Sequence, residues 1–305
     1  MRLVVRILSL TYHTIPVAAR LLGIPPPMAS PLHEKVVFMS GGSRGIGLAI
    51  GERLGREGAR VALVAKTDQP HPKLPGTVHT AAAAIEAAGG EALPIVGDVR
   101  DEAQVEAAVA QAVERWGGID IVLNNASAIN LAPIASLEPK RYDLMLDINA
   151  RGTFVVTRAC LPHLRESSHA HVLTLSPPLS ADPKWLAGNA AYTLSKMGMT
   201  MLTLGLAADE RDAGIGANCL WPRTIIATAA VQNLLGGDEA MSRARTPEIM
   251  GDAAHAIVSR DPRECTGNAF IDDEVLAEAG ITDLSGYSAP GAELALDLFV
   301  DGWPE

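Results

Sequence analysis

The segment VVFMSGGSRGIGLAI, residues 36–50, narrows what this chain can fold into more than any other stretch. It passes from an unbroken apolar run through Gly41, Gly42, Gly45 and Gly47 into an amphipathic stretch. A run without polar breaks suits a strand buried on both faces. Glycines at that density suit a turn that needs positive φ or a very close approach of backbone. A helix that starts from such a turn presents unpaired N–H groups and the positive end of its dipole, which match a pyrophosphate. A structural βα turn has the same glycines, so the surrounding chain must decide between the two.

The rest of the chain repeats the strand-then-helix pattern. Short runs rich in Val, Ile and Leu stand at 35–40, 60–65, 91–98, 119–124, 171–176 and 215–220. Helix-like stretches at 46–57, 77–88, 101–116 and 190–211 lie between them. This alternation predicts an α/β fold: a single doubly wound parallel sheet of Rossmann type, with helices on both faces. The 305 residues fit one large domain of about 250 residues plus extensions. The expected division is an N-terminal extension over 1–33, the sheet domain over 34–272, and a C-terminal extension over 273–305 packed on the same domain. Two segments break the pattern: the Pro-rich loop 66–76, and residues 222–247 beyond the sixth strand, where a ligand-covering segment would sit.

Charge and cysteine content exclude whole classes of function. Lys and Arg number 25 against 35 Asp and Glu, a net charge of −10 with no basic patch, so nucleic acid is not an expected partner. Cys160, Cys219 and Cys265 are far apart, without metal-ligand spacing, and their odd number completes no disulfide framework. A reducing, cytoplasmic setting and no metal site are expected. No run of about 18 apolar residues occurs, so no membrane span is expected. The first 30 residues carry Arg2, Arg6 and Arg20 without an acid. They read as a mobile extension or as an over-long start ahead of Met28, with organellar targeting as the alternative.

The second strand ends in Ala65, Lys66 and Thr67, where an acid would be needed to hold a ribose 2′-hydroxyl. A cation there favours a 2′-phosphate, and Arg44 in the glycine turn can add a planar donor fork. NADP(H) is therefore expected over NAD(H). Asp98 closes the third strand, where it can accept from an adenine amino group or cap the next helix. Asn124 and Asn125 follow the fourth strand and would border the adenosine. Tyr192 and Lys196, four apart on a predicted helix, share a face. A phenol needs its pKa lowered by about two to three units to act near neutrality, and a neighbouring ammonium acts in that direction.

SGGSRGIG, NNAS, DINARG and YTLSK, in this order and at these separations, resemble the short-chain dehydrogenase/reductase family over residues 34–272. The resemblance implies hydride exchange between nicotinamide and a carbonyl or secondary alcohol of a small, possibly lipid-like substrate. It implies Tyr192 as proton donor or acceptor and Lys196 as the residue that holds the nicotinamide ribose and depresses the phenol pKa. Asn149 would anchor a water in the proton relay. Gly41, Gly42, Ser43, Arg44, Gly45, Ile46 and Gly47, together with Lys66, Asp98 and Asn125, would contact the cofactor. A homodimer or homotetramer is expected on the same ground. A eukaryotic relative carries an additional sterol-carrier domain, and no such module is expected in a chain that stops at Glu305.

Two departures stand out. The family's serine, 13 residues before the tyrosine, falls on Leu179, which leaves Ser176 as first candidate to polarise the carbonyl and Ser180 as second. The family's Pro-Gly after the sixth strand is Pro222-Arg223, and Arg223 could meet an anionic substrate or a cofactor phosphate. These departures keep open an alternative, a nucleotide-binding scaffold or sensor with little turnover. Substrate choice is expected to lie in 177–189, including Trp185, and in 222–250.

Overall fold

The computed structural model describes residues 30–71 and 74–303, and a compact unit begins at Leu32. The extension and targeting segment expected over residues 1–33 lie, as far as residue 29, outside the described residues.

Seven parallel strands form one sheet in the order β3-β2-β1-β4-β5-β6-β7. They are β1 (Val36–Ser40), β2 (Arg60–Ala65), β3 (Glu91–Val96), β4 (Ile121–Asn124), β5 (His171–Leu175), β6 (Gly216–Trp221) and β7 (Ala269–Ile271). The six predicted strands are all present. The seventh escapes a pattern search because three residues are too few to show a period. The chain winds outward from β1 to β3 and then returns to place β4 on the other side of β1. That reversal opens a crevice at the carboxyl ends of β1 and β4. β3 is an edge strand, with Pro94 lacking an N–H and Val96 half exposed, so it is less buried than its apolar sequence suggested.

Successive side chains of each strand enter opposite cores. Val37 and Met39 of β1 pack on one face with Ile50 and Leu54 of α1 (Gly45–Gly55) and Ile85 of α2 (Val78–Ala88). Val36 and Phe38 pack on the other face with Val105 and Val109 of α3 (Glu102–Trp116). Helix ends follow local chemistry: Thr77 and Thr80 form a reciprocal cap at α2, and Asp101 caps α3. After β4 come α4 (Pro139–Met145), a π-helical turn (Leu146–Arg151) and α5 (Gly152–Leu164). After β5 come α6 (Pro183–Leu186) and the long α7 (Ala190–Asp209). Beyond β6 lie α8 (Ala229–Leu234), α9 (Gly237–Ser242) and α10 (Glu248–Val258), and α11 (Asp272–Glu278) follows β7.

The chain then returns as a strap, residues 294–303, laid along the segment that follows β6. Ile225 N donates to Ala295 O at 3.1 Å and Asp297 N to Arg223 O at 2.9 Å. Trp221 Nε1 donates to Leu298 O at 2.7 Å. Arg223 Nη1 donates to Gly302 O at 2.7 Å. Arg223 itself is buried against Asp273, with Nε to the two carboxylate oxygens at 2.8 and 2.7 Å, and it also pairs with Glu274. The ligand role considered for Arg223 does not fit this placement: its guanidinium is spent on the protein and anchors the strap.

Candidate functional site

The glycine turn meets its steric expectation. Gly41 has φ +77, and a Cβ there would lie 2.7 Å from Ala126 Cα. A Cβ on Gly47 would lie 2.5 Å from Asn125 Nδ2, which donates to Gly41 O at 2.7 Å. Asn125 thus braces the turn from β4. Arg44 precedes α1 in an extended conformation, no side chain caps that helix, and no acid occupies its first turn. Its N-terminus is therefore left for an anion.

A cavity of about 570 Å³ opens in front of this turn, and Gly41, Ser43, Arg44, Gly45, Lys66, Asp98 and Asn125 all line it. Ile46 lines the neighbouring cavity, whereas Gly42 packs on Met39 and Leu63. At the end of β2, Arg44 Nη2 donates to Thr67 Oγ1 at 3.1 Å and to Gly76 O at 2.9 Å, pinning the Pro-rich loop. Lys66, largely exposed, stands 3.7 Å from Asp98. Asp98 does not cap α3, a task that falls to Asp101. Its carboxylate takes the Arg100 guanidinium in a fork, which holds its pKa below the usual range, helped by the Arg100 N–H and Lys66.

A second cavity, about 540 Å³, shares Asn125, Ser127, Ile129, Thr228 and Ala230 with the first and continues to Tyr192 and Lys196. Both residues sit on α7, one turn apart. Lys196 Nζ donates to Leu175 O at 2.5 Å and lies 5.1 Å from the centre of the Trp221 ring. Burial pushes this ammonium down to about 7, with Asp297 opposing. The phenol departs from expectation. Burial, which penalises a phenolate, holds Tyr192 above its usual value, and a negative charge on Asp297 would act in the same direction. Tyr192 keeps its proton, and no protein group among the described residues hydrogen-bonds its hydroxyl.

Asn149 lies in the π-helical turn, a distortion frequent at functional sites. Both amide hydrogens are spent, on Ala128 O and Ser195 Oγ at 2.9 Å each, while Oδ1 accepts from Ala128 N at 2.7 Å. This leaves the side chain to join the post-β4 loop to α7 rather than to donate to a water. Ser176 is not brought to the cleft wall: it is fully buried, and its Oγ accepts from Thr200 Oγ1 at 2.9 Å. Ser180 Oγ accepts from Asp182 N at 3.2 Å, and Leu179 faces solvent. Pro177 and Pro178 offer no N–H donors, and neither is in the cleft lining.

Trp185 and the segment after β6 line the second cavity, through Ile225, Ile226 and Val231 among others. So do Leu296, Asp297, Leu298 and Val300 of the strap. Phe299, in the left-handed region at φ +70, sets its ring 6.3 Å from Tyr192 and 5.8 Å from both Trp185 and Trp221. A bulky side chain in that conformation costs about 1–3 kcal/mol and persists where packing over-determines it. The strap lies in the extension expected over 273–305, but its place in the cleft wall was not expected. Its readable trace was LALDLFV at 294–300, an apolar run beyond the last helix broken by one carboxylate.

The turn, the uncapped helix and the cavity fit a dinucleotide, whose pyrophosphate the backbone would hold and whose two ends the joined cavities would take. Among the described residues no cluster of His, Cys, Asp and Glu could hold a metal, and no helix is long and apolar enough to cross a membrane.

Residues 35–237 match the short chain dehydrogenase family model. The chain is 51% identical over 270 residues to hydroxysteroid dehydrogenase-like protein 2 of Danio rerio, a match that covers 88% of this chain and 64% of that protein. The chain thus spans under two thirds of that relative. A putative dehydrogenase from Xanthomonas campestris is 53% identical, with a TM-score of 0.86, over 89% of this chain and 99% of its own. A metagenomic short-chain oxidoreductase in complex with NADP is 25% identical, with a TM-score of 0.65, over 79% of this chain and 98% of its own.

Proposed function

Because this chain belongs to the short-chain dehydrogenase family, a family of oxidoreductases that bind NAD(P), we propose that it uses NADP(H) to interconvert a carbonyl and a secondary alcohol on a small, apolar or lipid-like molecule. The observation that carries this reading is that the two cavities share Asn125, Ser127, Ile129, Thr228 and Ala230 in their walls, so that the glycine turn and the Tyr192–Lys196 pair line adjoining cavities. The dinucleotide, when bound, supplies or takes up a hydride at its nicotinamide C4.

This chain's residues supply the rest. The turn from Gly41 to Gly47, with Ser43, would bind the pyrophosphate through backbone N–H groups. Lys66 and Arg44 would meet a 2′-phosphate, and the absence of an acid at the end of β2 supports that choice. Lys196 would hold the nicotinamide ribose. Tyr192, which keeps its proton, is set to give it to a carbonyl oxygen as hydride reaches the carbon, and to recover it in the reverse reaction. The apolar walls exclude water from that step.

The test pairs turnover with binding. With NADPH and a panel of ketones and aldehydes followed at 340 nm, Tyr192→Phe is expected to lower kcat by about 10²–10⁴-fold and to leave dinucleotide affinity within about twofold. Tight dinucleotide binding without turnover of any carbonyl by the wild type would replace this reading with the scaffold.

A further inference from the structure

The part of the cleft beyond the dinucleotide cavity is poor in polar side chains. Apart from two indoles, Tyr192, Lys196 and Asp297 bring hydrogen-bonding side chains to it, while Asn125, Ser127 and Thr228 stand on the wall shared with the dinucleotide cavity. Lys196 Nζ is engaged by Leu175 O, and Trp221 Nε1 by Leu298 O. Trp185 Nε1 is buried without a partner. Tyr192 therefore needs a companion if a carbonyl oxygen is to receive two hydrogen bonds, and Ser176 and Ser180 are turned to other work.

Asp297 is held for that task. Its N–H donates to Arg223 O at 2.9 Å, and its Oδ1 accepts from Leu298 N at 2.7 Å. The other carboxyl oxygen has no hydrogen-bond or ion-pair partner among the described residues. Buried Arg223, paired with Asp273, fixes the strap at Asp297 and again at Gly302.

We propose, on the oxidoreductase reading above, that Asp297 is a catalytic residue: as a neutral carboxylic acid it donates the second hydrogen bond to the substrate carbonyl, the part that Ser176 is not placed to play. Below about pH 7 Asp297 keeps its proton through the step. Hydride adds to the carbonyl carbon, the proton that ends on the product oxygen leaves Tyr192, and Asp297 stabilises the oxygen as charge develops on it. The cleft then favours neutral, apolar ketones or aldehydes, since an anionic substrate would meet a carboxyl group in an apolar wall.

The charges around Asp297 agree. Burial pushes its carboxyl up to about 7; Asp272 at the start of α11 adds to this, while the Leu298 N–H and Lys196 on α7 oppose it. Asp272 is itself raised to about 6 by burial. Asp297 is thus a donor below about 7 and loses that capacity as pH rises through this value. A carboxylic acid kept neutral by an apolar site to donate a hydrogen bond has precedent in enzyme chemistry.

The experiment uses cyclohexanone as probe, with two readouts at pH 6 and 8.5. One is reduction with NADPH, and the other is binding followed by the fluorescence of Trp185 and Trp221 on the cleft wall. Losing a hydrogen bond of about 1.4 kcal/mol is a tenfold change. For the wild type, kcat/KM and affinity are expected to fall about tenfold from the lower to the higher pH. Asp297→Asn, which keeps a donor, should retain about a third of the pH 6 value and show it at both pH values. Asp297→Leu should be at least tenfold down at both.

The same pH fall in Asp297→Asn, wild-type behaviour in Asp297→Leu, or no cyclohexanone binding by the wild type would overturn the proposal. Binding that follows the expected pattern without any reduction would sink the oxidoreductase reading and leave the Asp297 contact standing. Reduction indifferent to Asp297 would do the reverse.

Discussion

The glycine-turn end and the Tyr192 end of the cleft are built by opposite means. The first is made of backbone: a strand, a glycine turn and an uncapped helix contiguous within residues 36–55, braced by one amide from Asn125. At the second, side chains from α7, from the segment after β6 and from a strap about a hundred residues beyond Tyr192 meet in an apolar, buried setting. Around the first, the charged groups Lys66, Asp98 and Arg100 are paired near solvent. In the second, burial moves every titratable group, with Tyr192 up, Asp297 up to about 7 and Lys196 down to about 7. All three shifts run toward the neutral forms.

If the ends are separable, damage to one leaves the other working. The largest effect is expected for Arg223→Met, which removes one side of a buried pair, strands Asp273 beside Arg245 at 3.6 Å and frees the strap. Breaking such a pair costs about 3–5 kcal/mol. Urea unfolding should register that loss, and limited proteolysis should cut within 294–303 sooner, while dinucleotide affinity holds. An equal fall in dinucleotide affinity would show that the strap supports both ends and break the comparison.

Gly41→Ala probes the other end. The added methyl would sit 2.7 Å from Ala126 Cα on a backbone at φ +77, so the turn must shift. We expect about 1–3 kcal/mol of lost stability and a fall in dinucleotide affinity by titration of at least about tenfold. Apolar ketone binding should be unchanged. Lys66→Ala is the mildest, since the residue is more than half exposed. It should narrow the preference for NADP(H) over NAD(H) by about threefold to tenfold, the worth of one partly solvated charge contact. Stability should stay within about 0.5 kcal/mol of wild type. An unchanged cofactor ratio would remove Lys66 from the phosphate reading and leave Arg44, already tied to Thr67 and Gly76, as the residue to test next.

The strand periodicity, the order of elements, the glycine turn and the Tyr192–Lys196 spacing were all legible because each is local: a period of two or four residues, or a turn a few residues long. β7 was hidden by its length, and Ser176 was misleading because its sequence neighbours say nothing about Thr200 on α7. The lowering expected for the Tyr192 phenol is opposed by burial for a related reason. Spacing on a helix shows which charges are near, whereas burial, which here has the larger effect, depends on what packs above them.

The amino-acid pattern alone thus determined a parallel sheet with a glycine turn at its centre and a tyrosine–lysine pair on a following helix, since each follows from interactions among close neighbours in the chain. Only tertiary structure decided that Arg223 anchors a strap, that Phe299 stacks over Tyr192 and that Asp297 joins the cleft. Those contacts link residues from 79 positions apart, Arg223 to Gly302, to 107 apart, Tyr192 to Phe299. Desolvation there is set by the whole packed surroundings, which no short stretch of sequence contains.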